Sequence, residues 1–190
     1  MAQRAPKPVS EASLHTAALS YLERFAASTE MVRRVLARRV EQAARAGLIE
    51  RAAGTALVER VIARLAAARL VDDAAFAARR AETLQRRGTS ERAVRARLAA
   101  QGIARDTIQA AVAARRGATA DPELSAALQL ARRRRIGPYR AGERAAYRPR
   151  DLGVMARAGF SAAIAQRVID APDIAALDAL AAEAIDGGRS

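Results

Sequence analysis

The stretch LVDDAAFA, Leu70–Ala77, sets two carboxylates, Asp72 and Asp73, side by side in a chain otherwise dominated by arginine. Paired carboxylates can share a proton or hold a divalent cation, so this is the first place to look for catalysis. Neighbouring residues on a helix, however, point about 100° apart and converge poorly on one ion. A carboxylate at a helix N-terminus instead accepts orphan N–H groups and meets the positive end of the dipole. Phe76, Ala77 and Leu84 follow at helical spacing. The pair is therefore read as the start of a helix.

No other constellation competes for chemistry. His15 is the only histidine and has no partner at ligand spacing. There is no cysteine, which removes disulfides, thiolate metal sites and thiol catalysis. A P-loop needs a lysine after its glycines, and the only lysine is Lys7 near the N-terminus. A G-x-S-x-G nucleophile elbow is absent as well. The chain is expected to be no enzyme and to carry neither cofactor nor metal.

Arginine is what remains. The net charge is +13, and all 33 basic residues except Lys7 are arginine. Such an excess suits a polyanionic partner, and the planar guanidinium fork suits phosphate. The charge is uneven. Residues 132–150 hold eight arginines against Glu143 alone, whereas 151–190 hold three against six acids. The densest run, ARRRRIGPYR, puts arginine on every face of a helix end, with Tyr139 nearby as a possible stacking partner for a base. The same run also fits a solvated helix end whose charge offsets the dipole. Charge and repeat position single out Arg33, Arg34, Arg95, Arg97, Arg133, Arg134, Arg135, Arg148 and Arg150 as contacts to nucleic acid or to a nucleoprotein. For Arg33 and Arg95 the competing reading is a surface residue bridging to Glu or Asp.

The elements that must position these side chains are helices. Half the chain is apolar, but that stock is mostly alanine and aromatics are only 3%. Ala and Arg are strong helix formers, and alanine-rich faces need close helix packing. Apolar residues recur at helical spacing in Leu14, Ala18, Tyr21, Leu22 and Phe25. A second helix is expected over 28–47 with Ser28 or Thr29 as cap, and a third over about 55–70. Gly88 stops the helix after the aspartates; Thr89 or Ser90 caps the next, which ends at Gly102. Another follows from Ile103, and 117–122 reads as a connector. ELSAALQLARRRR is helical up to Gly137–Pro138, and AGERAAYRP reads as loop. Two short helices and a final one at 173–185 complete the chain, and DGGRS frays. Nothing alternates with period two.

An internal echo organises these pieces. S-x-x-x-V-R-x-x-L occurs at Ser28–Leu36 and again at Ser90–Leu98, and QGIARDTIQAAV has a weaker counterpart in AGFSAAIAQRVI. The pattern predicts an all-α fold of tandem three-helix repeats in an elongated, curved array. The expected divisions are a tail at 1–10, units at 11–70, 71–116 and 117–172, and a C-terminal helix with frayed end at 173–190. The N-terminal residues show no apolar secretory core and no run is long enough to span a bilayer, so the expected location is cytoplasmic.

The run Arg69–Val112 resembles the RecX family of RecA regulators. The family pattern is an apolar pair, Asp-Asp, x-x-Phe-Ala, an arginine-containing helix, Gly, a cap, and Ile/Val-Arg-x-x-Leu leading to Lys-Gly-Ile. Here Leu70, Val71, Asp72, Asp73, Phe76, Ala77, Gly88, Val94, Arg95, Leu98, Gly102 and Ile103 supply it. Arg69 stands where the family commonly has Gly, Leu70 where it has an aromatic, and Gln101 where Lys is usual. The resemblance extends more weakly over 13–47 and 124–171, and has no counterpart after Pro172.

The resemblance implies a curved protein of three-helix units that acts in DNA repair, recombination and the SOS response. It implies binding to RecA and to the RecA–ssDNA filament, with modulation, usually inhibition, of recombinase, ATPase and co-protease activities. Single- and double-stranded DNA are further implied partners. The expected state is a monomer with no membrane contact. The alternative is a generic basic DNA-binding protein of helix-turn-helix type, with the helices around Gly102 as its motif.

Overall fold

The computed structural model describes residues 8–118 and 120–186. Among them are ten α-helices, one short 3-10 turn and no β-strand, the all-α class that the periodicity predicts. Most of the expected N-terminal tail and frayed C-terminus, and residue 119 of the expected connector, lie outside the described residues.

The chain divides into two compact units. The first runs through Phe76 and also includes Gln101–Ile103. Its helices are α1 (Glu11–Leu22), α2 (Thr29–Arg45) and α3 (Arg51–Ala67), packed on one another as a three-helix unit. Ser10 and Ser13 cap α1 reciprocally, each hydroxyl accepting the other's backbone N–H. The core is made by Leu14 and Ala18 of α1, Val32, Leu36 and Val40 of α2, and Val58, Val61, Ile62 and Leu65 of α3. Phe25 departs from its expected stripe. It lies beyond the end of α1, half exposed, with its ring 5.2 Å from that of Tyr21.

The second unit holds Ala77–Ala100 and everything from Ala104 onward. It contains most of α4 (Asp73–Arg86), then α5 (Glu91–Ala100), α6 (Arg105–Ala118), α7 (Pro122–Arg134), the 3-10 turn Gly137–Tyr139, α8 (Arg144–Ala158), α9 (Ala162–Ile169) and α10 (Ile174–Asp186). Asp121 caps α7 and Pro122 occupies its first turn, the position where a missing N–H costs nothing. Leu124, Leu128 and Leu130 of α7 pack with Met155, Phe160, Val168, Ile169 and Leu177.

One expected loop is a helix. The segment AGERAAYRP was expected to be irregular, yet α8 starts at Arg144 and runs through Pro149. Tertiary contacts outweigh the lost backbone hydrogen bond. Arg148 pairs with Asp170 at 2.7 Å. Arg144 donates to the carbonyls of Ile169, Ala171 and Pro172, so it caps the end of α9.

The echoed serines share one job. Ser28, fully buried, accepts the N–H of Met31 at 3.2 Å and donates to the carbonyl of Gln101 at 2.6 Å. Ser90, also fully buried, accepts from Ala93 at 3.3 Å and donates to the carbonyl of Ala158 at 2.6 Å. The next N–H in each case goes to a carboxylate of a later helix. Thr29 donates to Asp73 and Glu91 to Glu123, both at 2.7 Å. Each clasp thus satisfies orphan groups at a helix start and at a helix end, and a carboxylate meets the positive pole. Glycine must follow the accepting carbonyl. Gly102 and Gly159 have φ of +78° and +97°, and a Cβ would fall on Glu30 at the first and on the Ser90 hydroxyl at the second. The first clasp accounts for the membership of Gln101–Ile103 in the first unit. It also divides the aspartate pair. Asp72 caps α4 through Ala75 N–H, while Asp73 serves the start of α2.

Candidate nucleic-acid interface

The arginines singled out by charge fall into two groups. In the first, carboxylates hold the guanidinium. Arg33 donates to Glu59 and Glu30, each at 2.8 Å, and Arg34 to Glu30 at 2.9 Å. The hydrogen bond from Arg33 draws the Glu30 carboxyl below its ordinary pKa, and the bond to Glu59 raises that of Arg33. Arg95 pairs with Glu91 one turn away, at 2.9 Å. Arg148 holds Asp170 below its ordinary range by a hydrogen bond, and is itself raised by that bond. Arg135 stands apart: it ends α7 in the left-handed conformation, φ 52° and ψ 52°.

The second group converges. Arg133 and Arg134 of α7, Arg97 of α5 and Arg150 of α8 line one cleft of about 700 Å³ in the second unit. Two further arginines join them, Arg140 and Arg157. Arg157 was legible: it lies seven residues after Arg150, with Val154 between, on one helical face. Arg140 was in view as the last residue of ARRRRIGPYR, but nothing local shows that the turn at Gly137–Tyr139 brings it to the cleft. The cleft floor is Ala93, Leu130, Ile136, Val154 and Ala158. Its register follows from helix geometry, since Ala93 and Arg97, and Leu130 and Arg134, are one turn apart.

Asp151 is the single carboxylate in the lining. It is almost fully buried and accepts from Gly137 N–H at 3.0 Å and from the Nε and Nη2 of Arg140. Arg97, Arg133, Arg134, Arg150 and Arg157 have no carboxylate partner among the described residues. A concave surface with six guanidinium groups and one carboxylate concentrates positive potential. Among the described residues there is no cluster of three or more His, Cys, Asp or Glu side chains able to hold a metal. None of their helices is long and apolar enough to cross a membrane.

Fold and site together define a helical-repeat protein of three-helix units that carries an arginine-lined cleft. A family model described as RecX, second three-helix domain, matches residues 72–112. The regulatory protein RecX of Myxococcus xanthus (strain DK1622) is 39% identical over 170 residues, covering 87% of this chain and 88% of that protein. A crystal structure of regulatory protein RecX superposes with a TM-score of 0.55 at 21% identity, covering 84% of this chain and 71% of the other, and shares the fold. The chain belongs to the RecX family of regulatory proteins.

Proposed function

We propose that this protein regulates RecA without catalysing a reaction, by binding RecA and the RecA–ssDNA filament and inhibiting recombinase, ATPase and co-protease activities. The observation that carries the reading is the second unit's cleft, where five arginines lack a carboxylate partner among the described residues. Unpaired guanidinium groups on a concave surface are what a phosphate backbone requires. Family membership supplies the target class. In this reading the protein acts as a cytoplasmic monomer. It holds DNA by phosphate contacts from Arg97, Arg133, Arg134 and Arg150, joined by Arg140 and Arg157. A ligand that binds one filament state better than another shifts the population between them, which is how a protein without chemistry slows ATP turnover.

The test is RecA's ssDNA-dependent ATPase with substoichiometric amounts of this protein, run beside binding to duplexes of defined sequence. Inhibition without sequence preference is expected. Sequence-selective duplex binding with no effect on RecA would sink the reading and favour a helix-turn-helix regulator.

A further inference from the structure

We propose that Arg140 is a fixed phosphate fork within the cleft and that Asp151 is its positioning residue. The proposal rests on the reading of the cleft as a DNA-binding surface and names the group that grips the backbone there.

Arg140 differs from the other five cleft arginines. Those five are exposed side chains, and each must be ordered when it meets a ligand, which costs rotamer entropy. Arg140 is already ordered. Its Nε and Nη2 edge lies on the Asp151 carboxylate, and its guanidinium carbon sits 4.4 Å from the centroid of the Tyr147 ring. Asp151 is itself fixed by the Gly137 N–H at 3.0 Å, in the turn just before Arg140. With the Nε and Nη2 edge held, the Nη1 N–H groups and the second N–H of Nη2 remain to donate, and Arg140 lines the cleft.

Asp151 anchors the turn at Gly137, but that role alone does not call for a charge. A buried carboxylate is costly to desolvate, and its charge opposes the binding of any anion beside it. A site that used charge alone would do better with a neutral residue. A carboxylate that immobilises a guanidinium offers a compensating gain, because a preformed fork binds two phosphate oxygens with little further loss of freedom. The ligand is a nucleic-acid phosphodiester. The cleft lining contains no aromatic side chain for bases to stack upon, so the subsite takes backbone of any sequence.

The experiment is anisotropy of fluorescein-labelled oligothymidylate with the full chain across a salt series. Arg140→Lys keeps the charge and loses the fork. It should weaken binding about tenfold while leaving the slope of log K against log salt unchanged. Asp151→Asn should also weaken binding, although it removes a negative charge from the cleft. Arg134→Ala should lower the slope by about 0.7, the value for one single-strand phosphate contact. Equal or tighter binding by a folded Asp151→Asn protein, or no change in Arg140→Lys, overturns the proposal; where Asp151→Asn does not fold, Arg140→Lys decides. An unchanged slope and affinity in Arg134→Ala would remove the cleft reading itself, and this proposal with it. Displacement of the oligonucleotide by polyglutamate at equal charge would assign the fork to an acidic protein surface instead and overturn the phosphate assignment.

Discussion

Both units pair arginines with carboxylates, but among the described residues the second also gathers unpaired ones around a cleft. In the first unit Arg33 and Arg34 meet Glu30, Arg33 also meets Glu59, Arg45 and Arg51 share Glu41, and Arg60 meets Glu11. In the second unit Arg97, Arg133, Arg134, Arg150 and Arg157 are left over around a concavity. Exposed ion pairs contribute little to stability, but they cancel the field that a distant phosphate would feel. A count of arginines therefore does not locate an interface. The helical register of the carboxylates decides which arginines stay out of an ion pair: it reaches the first group and misses the second.

Four sets of substitutions sharpen or break that contrast. The largest effect is expected at the clasp glycines. Gly102→Ala and Gly159→Ala combine a positive φ with a blocked Cβ, and each should cost about 3 kcal/mol or more in urea unfolding. Gly47 has φ +69° but open space around it, so Gly47→Ala should cost about 1 kcal/mol. Equal costs would mean that the clasps do not hold the backbone closely. Next, Arg133→Gln, Arg134→Gln and Arg150→Gln together should weaken oligothymidylate binding on the order of 100-fold at low salt. The matching triple at Arg33, Arg34 and Arg51 should change it less than about twofold. A similar loss in both would erase the distinction between the units. Third, Ser28→Ala and Ser90→Ala should each cost about 1–3 kcal/mol, because each strands a buried carbonyl and a helix N–H.

The smallest effect concerns Glu41. Hydrogen bonds from Arg51 and then Arg45 lower its pKa from 4.5 to about 2 in the folded chain. The folded value lies below the unfolded one, so the stabilisation is present above pH 4.5 and is lost as pH falls toward 2. Thermal melts should show a small deficit for Glu41→Gln at pH 7 that closes over that window. A deficit that persists at pH 2 would assign the effect to packing instead.

Much of the fold could be read from the sequence, because capping and periodicity are local. Ser28, Ser90 and Gly102 mark helix boundaries by residue type alone. The repeat at Ser28 and Ser90 was also visible, but not its purpose, since the acceptors Gln101 and Ala158 lie 73 and 68 residues away. Asp72–Asp73 was half legible for the same reason: one carboxylate acts within its own helix and the other does not. The helix through Pro149 was hidden because Arg144 and Arg148 stabilise it by reaching a distant strip of chain at 169–172. Charge singled out Arg133, Arg134, Arg97 and Arg150 as candidates. Arg33, Arg34, Arg95 and Arg148 were found by the same criterion, and only their carboxylate neighbours separate the two sets.

The serine at position 28 also sets a timetable. Its hydroxyl meets the acceptor it has in the fold only once Gln101 has left the ribosome, and Thr29 must wait for Asp73. Closing a loop of that length costs only slowly growing entropy, yet it imposes an order of events. A nascent chain stopped at residue 70 holds every helix of the first bundle and still lacks both latches, so that bundle is finished by residues synthesised well after its last helix.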